Sequence, residues 1–100
     1  MSWAIVTGAS KGIGKGIAVA LAEGGWDIVG VARDRRPLEA LRPALAAHSR
    51  DYRWYTADLA EPDEAERVAN QISRDISDID VIVNNAGGGI GSRPLGLVNK

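Results

Sequence analysis

The feature that most constrains this chain is a glycine-punctuated turn near its start, Thr7-Gly8-Ala9-Ser10-Lys11-Gly12-Ile13-Gly14. Before it, Trp3-Ala4-Ile5-Val6-Thr7 is a short apolar run of the kind that forms a strand buried on both faces. After it, from Gly12 to Glu23, Ile13, Ile17 and Leu21 recur every four residues with small alanines between them. That spacing predicts a helix laid on a sheet through those three side chains, stopped by Gly24-Gly25. Each glycine of the turn has its own reason. Gly8 lets the chain leave the strand sharply, Gly12 removes a side chain where backbone would approach a phosphate, and Gly14 lets the helix pack close to the sheet. The first N–H groups of a helix have no partners inside it and face any anion placed before them. A ligand-free glycine turn is the alternative reading. The strand before and the helix after favour the phosphate-binding one.

The same alternation continues to the end. Asp27 to Ala32 reads as a second buried strand. Leu38, Leu41 and Leu45 mark a second helix, which Pro43 should kink or split. Tyr52 to Thr56 is a third strand, and Glu61-Pro62-Asp63-Glu64 places proline and acids at the start of a third helix. Ala65, Val68, Ile72 and Ile76 trace the inner face of that helix, Asp80 to Asn84 is a fourth strand, and Gly87 to Pro94 is a loop. Strands alternating with helices predict an α/β fold, a Rossmann-type parallel sheet with right-handed crossovers. Only the first half of a doubly wound domain is present, with expected strand order 3-2-1-4.

Composition narrows the partners. Twelve Lys and Arg against thirteen Asp and Glu leave a net charge of -1, so no broad positive field draws the chain to nucleic acid or to an anionic membrane. The absence of cysteine excludes disulfides, thiolate metal sites and a cysteine nucleophile, and one histidine, His48, cannot build a zinc site. Apolar runs such as Ala18 to Ala22 are far too short to span a bilayer, and Met1-Ser2-Trp3 shows no leader pattern. A cytoplasmic protein without metal is expected.

The glycine spacing is G-x-x-x-G-x-G, and here the residues resemble the short-chain dehydrogenases/reductases. The main branch of that family carries T-G-x-x-x-G-x-G, which Thr7 to Gly14 matches. Asn84-Asn85-Ala86-Gly87 is similar to the family's N-N-A-G, and Asp58-Leu59 to its acid after the third strand. The three motifs span residue 3 to about residue 90 in the right order. The resemblance implies that residues 1–100 are the N-terminal part of a single NAD(P)-binding domain. It implies that Gly8, Ser10, Lys11, Gly12, Ile13 and Gly14 form the cofactor turn and that the Asp58 carboxylate accepts the adenine amino group. By the same resemblance Leu59, Asn85, Ala86 and Gly87 contribute backbone contacts, while Asn84 braces the sheet. The activity implied is hydride transfer between NADPH and a carbonyl or alcohol; family members are often homo-oligomers.

Cofactor choice follows from charge. A carboxylate at the end of the second strand binds both ribose hydroxyls of NAD and repels a 2′-phosphate, which needs a cation. The strand ends at neutral Ala32, Arg33 follows, and Lys11 faces the same ribose, so NADP is expected over NAD. Asp34 opposes this, twenty residues past Gly14, but it lies beyond the apolar strand, placed to cap the second helix or to pair with Arg35 or Arg36.

The remaining candidates read as structural. His48 is expected as an exposed helix-end residue, and Trp3, Trp26 and Trp54 as packing groups in or beside the sheet. The family's catalytic serine, tyrosine and lysine come from the second half of the fold. Tyr52 and Tyr55 belong to no Tyr-x-x-x-Lys pattern and are expected by the adenine end of the cleft, so no catalytic residue is assigned. The expectation is the cofactor-binding half of an NADP-dependent reductase. A non-catalytic NADP-binding or cofactor-sensing module, or an inactive truncated product, are the alternatives.

Overall fold

The computed structural model describes residues 2–8 and 12–84. In chain order the elements are β1 (Trp3–Thr7), α1 (Gly12–Glu23), β2 (Asp27–Ala32), α2 (Arg35–Ala40), α3 (Arg42–Ala46), β3 (Tyr52–Thr56), α4 (Pro62–Asp75) and β4 (Ile79–Val83). The four strands form one parallel sheet in the order β3-β2-β1-β4, as the alternation of periodicities predicts.

Two apolar layers cover this sheet, because successive side chains of a strand point to opposite faces. Ala4, Val6, Ile28 and Ala32 pack with Ala18 and Ala22 of α1, Leu38 of α2 and Leu45 of α3. Ile5, Val29 and Val31 pack on the other face with Val68, Ala69 and Ile72 of α4. The division follows from topology. The chain travels outward from β1 to β3, then returns to place β4 on the far side of β1. A crossover of the same hand must therefore run on the opposite face.

The inner face of α1 differs from the expected one. Its buried residues are Gly14, Ala18 and Ala22, whereas Ile13 is 75% exposed and Ile17 and Leu21 flank the contact. Small residues let the helix axis approach the sheet, so the glycine and alanines, one position over from the branched residues, form the seam. The end of α1 is a Schellman motif: Trp26 N–H donates to Leu21 O at 3.1 Å and Gly25 N–H to Ala22 O at 3.1 Å. Gly25 stands there at φ 99°, a left-handed conformation that glycine adopts without strain.

Pro43 splits the expected second helix into α2 and α3 at Leu41, and Leu38, Leu41 and Leu45 are all buried. The fourth strand begins one residue earlier than expected and ends at Val83, leaving Asn84 outside it. Its register shifts between Trp3 and Ala4, which pair with Ile79 and Val81. Asp80, skipped by that shift, accepts a 2.6 Å hydrogen bond from the Ser2 hydroxyl. Trp3, Trp26 and Trp54 pack against the two cores as expected.

Candidate cofactor site

In an open parallel sheet, ligands meet the carboxyl ends of the strands, and most of the candidate residues stand there. Hydrogen bonds tie three strand ends side by side. Gly8 N–H, just past β1, donates to Val31 O at 2.7 Å, and Ala57 N–H, just past β3, donates to Ala32 O at 3.0 Å. Gly8, Arg33 and Asp58 therefore occupy neighbouring positions along one edge. Gly12, Ile13 and Gly14 form the first turn of α1 behind Gly8.

Gly8 and Gly12 both take left-handed conformations, at φ 66° and φ 57°. Among the described residues, a Cβ built on Gly12 would meet no atom within 4 Å. The backbone conformation favours glycine there, and Gly14 is buried against the sheet. Ser10, Lys11, Asn85, Ala86 and Gly87, also expected at this site, lie outside the described residues.

Beside the turn, the Thr7 hydroxyl reaches across to the end of β4. It lies 3.3 Å from the Val83 carbonyl and 3.2 Å from the Asn84 side-chain oxygen. Thr7 is fully buried, and the contact gives Asn84 the sheet-bracing place expected of it.

Arg33 is exposed at the end of β2, and among the described residues no carboxylate lies in ion-pair range of it. Asp34 holds the N-cap position of α2 with extended backbone, but its side chain makes no capping hydrogen bond. Arg35 pairs with Glu39 at 3.9 Å instead of with Asp34.

Asp58 sits in a tight local turn. Its Oδ1 accepts the Ala60 N–H at 3.1 Å and its carbonyl accepts the Glu61 N–H at 3.0 Å. As expected, it does not cap the following helix, whose N-cap is Glu61. The Leu59 side chain is partly buried against the α4 core. Two residues of α4 that the sequence reading passed over also reach this turn. Glu64 Oε1 accepts the Asp58 N–H at 2.9 Å, and Arg67 Nη2 donates to the Thr56 carbonyl at 3.1 Å. A glutamate at the third helical position, three residues before an arginine, was the available signal.

Contrary to expectation, Tyr52 is not at the adenine end; Tyr55 lies near the carboxyl end of β3, paired with Val31, but its hydroxyl leads away from the edge. Tyr52 begins β3, at the amino ends of the strands, and its buried hydroxyl donates to Leu38 O at 2.8 Å. Tyr55 donates to the Asp75 carboxylate at 2.8 Å, at the last turn of α4. Burial raises the pKa of both, against the pull of Arg42 on Tyr52 and of Arg53 on Tyr55; the Asp75 carboxylate adds to the rise at Tyr55. Neither hydroxyl is a proton donor for this edge. His48 also departs from expectation: it follows α3 in a turn, half-buried, 3.9 Å from the Glu23 carboxylate.

A cavity of about 310 Å3 lies at the opposite end of the sheet, lined by Trp3, Arg42, Arg50, Asp51, Tyr52 and Arg53. Two of its arginines serve the fold. Arg42 stacks 5.3 Å over the Tyr52 ring, and Arg50 donates to Gly25 O at 3.0 Å.

A strand followed by a glycine and a helix, with this sheet order, defines a Rossmann-type parallel α/β fold. Comparison with known proteins is specific. The short chain dehydrogenase family model matches residues 2–98, and the chain belongs to that family. It is 40% identical over 86 residues to 2-dehydro-3-deoxy-D-gluconate 5-dehydrogenase of Pseudoalteromonas atlantica, covering 84% of this chain and 34% of that protein. Among solved structures it resembles a metagenomic short-chain oxidoreductase in complex with NADP, with TM-score 0.81 and 36% identity over 88% of this chain and 40% of the other. A short-chain dehydrogenase from Sphingobium yanoikuyae in complex with NADPH gives TM-score 0.77 and 34% identity over 93% of this chain and 38% of the other. The chain spans about a third of the length of the curated relatives it matches. Among the described residues, no helix is long and apolar enough to cross a membrane.

Proposed function

We propose that this chain is the cofactor-binding half of an NADP-dependent short-chain dehydrogenase/reductase. The observation that carries the reading is Arg33, exposed and without a carboxylate partner at the end of β2, between the Gly8 turn and Asp58. The residues present fit such a cofactor. Gly12 puts no side chain before a pyrophosphate at the helix start, and Arg33 offers a guanidinium to a 2′-phosphate. Asp58 keeps Oδ2 outside the hydrogen bond made by Oδ1.

When bound, the nicotinamide supplies or accepts a hydride at a carbonyl or alcohol carbon. The chain's own residues bind and orient. The N–H groups at the start of α1 would hold the diphosphate beside Gly8, Gly12, Ile13 and Gly14; Ser10 and Lys11, added by the family resemblance, lie outside the described residues. Arg33 would neutralise the ribose phosphate, joined by Lys11 on the family resemblance, and the Asp58 carboxylate would accept a hydrogen bond from the adenine amino group. By the family resemblance Asn85, Ala86 and Gly87, outside the described residues, would add further contacts to the cofactor. The proton donor for the carbonyl oxygen belongs to the remainder of the enzyme, since no hydroxyl among the described tyrosines faces this edge.

Arg33→Ala tests the reading by isothermal titration with NADPH and NADH. A well-made charge-assisted hydrogen bond is worth roughly 1.5–3 kcal/mol, so NADPH affinity should fall roughly 10- to 100-fold. NADH affinity should change less than about twofold, having no phosphate to lose. Equal losses for both would refute the role of Arg33.

A further inference from the structure

We infer that Glu64 and Arg67 of α4 are positioning residues that hold the Asp58 carboxylate in register for the adenine amino group; this rests on the proposed role of Asp58. The β3–α4 connection has to leave the sheet and present Asp58 in one orientation. Its helix, however, starts without a side-chain cap: Glu61 at the N-cap makes no capping hydrogen bond, and Pro62 follows. The stabilisation comes from the next turn of the helix. Glu64 reaches back past the N-cap, where such a residue ordinarily bonds, and accepts the Asp58 N–H at 2.9 Å. Arg67, one turn farther, donates to the Thr56 carbonyl at 3.1 Å and lies 3.7 Å from the same Glu64 oxygen.

The two contacts grip the backbone on either side of Ala57. Ala57 itself is anchored, buried in the α4 core with its N–H on the Ala32 carbonyl at 3.0 Å. Three consecutive residues are therefore fixed by two elements: Thr56 and Asp58 by Arg67 and Glu64 of α4, and Ala57 by β2. What remains free is the Asp58 side chain, and the Ala60 N–H on Oδ1 limits its rotation. A carboxylate held this way presents Oδ2 in a fixed direction, which is what reading a single amino group requires. Glu64 and Arg67 side chains are 45% and 52% exposed, so their contribution to the core is small and their removal leaves the fold in place.

The test pairs a local with a ligand measurement, using Glu64→Ala, Glu64→Gln and Arg67→Met. Amide hydrogen exchange at Asp58, followed by NMR without ligand, should accelerate roughly tenfold or more in Glu64→Ala. It should stay near wild type in Glu64→Gln, whose side-chain oxygen still accepts. Binding is then compared for NADPH and its hypoxanthine analogue, in which a carbonyl replaces the adenine amino group and meets the Asp58 carboxylate unfavourably. Wild type should favour the adenine form by roughly tenfold. Glu64→Ala should reduce that ratio to about twofold, Arg67→Met should reduce it in part, and Glu64→Gln should retain it. Unchanged Asp58 exchange in Glu64→Ala would overturn the clamp. So would an equal loss of affinity for both ligands, because a merely structural role weakens both alike. A wild type that binds NADPH without discriminating the base would refute the role of Asp58 itself, and the positioning role would fall with it. The exchange result keeps these failures apart.

Discussion

Adding one methyl group at Gly30 should destabilise the protein, although the same change often stabilises. Gly30 lies in the middle of β2, fully enclosed. A Cβ there would sit 3.1 Å from the Tyr52 hydroxyl oxygen, 3.2 Å from its Cε1 and 3.3 Å from Leu38 Cδ2. The tyrosine has little room to retreat. Its hydroxyl is bonded to the Leu38 carbonyl at 2.8 Å, and the Arg42 guanidinium lies 5.3 Å from its ring centre. Overpacking of this kind costs about 1–3 kcal/mol, against the roughly 0.4–1 kcal/mol that alanine gains by restricting the unfolded chain. Gly30→Ala should therefore lower the unfolding free energy by about 1–2 kcal/mol in a urea titration read by far-ultraviolet circular dichroism. Tyr52→Phe alone should cost about 0.5–1.5 kcal/mol, because the Leu38 carbonyl loses its donor. In the double variant the closest clash is gone. The costs should then fall short of additivity by roughly 0.5–1 kcal/mol. A neutral or stabilising Gly30→Ala, or strict additivity of the pair, would refute the packing of Tyr52 under Gly30.

Two further outcomes follow from the same core. Tyr52 and Tyr55 both have raised pKa values, burial being the first cause in each, so the folded state holds their protons more tightly than the unfolded state. Their contribution is fully present below the unfolded-state pKa near 10 and is lost as pH rises above it. Urea midpoints should accordingly fall above about pH 10, and less steeply in Tyr52→Phe. In α1, Ala18→Leu should cost about 1–3 kcal/mol or more by pushing the helix off the sheet, while Ile13→Ala should stay within about 0.5 kcal/mol. Thermal unfolding checks both, and a larger effect at Ile13 would restore the helix face expected from the branched residues.

Much of the fold was legible because its signals are local. Glycines bound the first strand and helix, proline marks the break at Leu41, and the buried strands β1 and β2 read as continuous apolar runs. The inner face of α1 was misread because residue size and residue hydrophobicity point to adjacent stripes there, and the close helix–sheet approach selects the small one. The start of β4 was misplaced because Asp80 looks like a strand boundary, whereas the register shift carries it outward to Ser2. At the candidate site the positions of Gly8, Arg33 and Asp58 next to strand ends were legible. Glu64 and Arg67 were not, because their partners are backbone groups, and sequence does not say which backbone group a side chain will meet. Tyr52 was placed at the wrong end for a related reason, whereas Tyr55 stands near the carboxyl end and only its hydroxyl turns away. The distance of Tyr52 from Asp58 in sequence is short, but a strand of five residues separates its two ends, and Tyr52 starts the strand that Asp58 follows.

The reading of this chain as an NADP-selecting half-domain is tested most directly by titrating the wild-type chain with NADPH and NADH side by side at one ionic strength. On that reading, binding energy from Arg33 is available only to the phosphorylated cofactor, while the glycine turn and Asp58 serve both. NADPH should bind tighter by at least roughly tenfold, and the margin should narrow as salt screens the exposed guanidinium. Equal affinities, or tighter binding of NADH, would contradict the assignment and return Asp34 to the place of the ribose-binding acid.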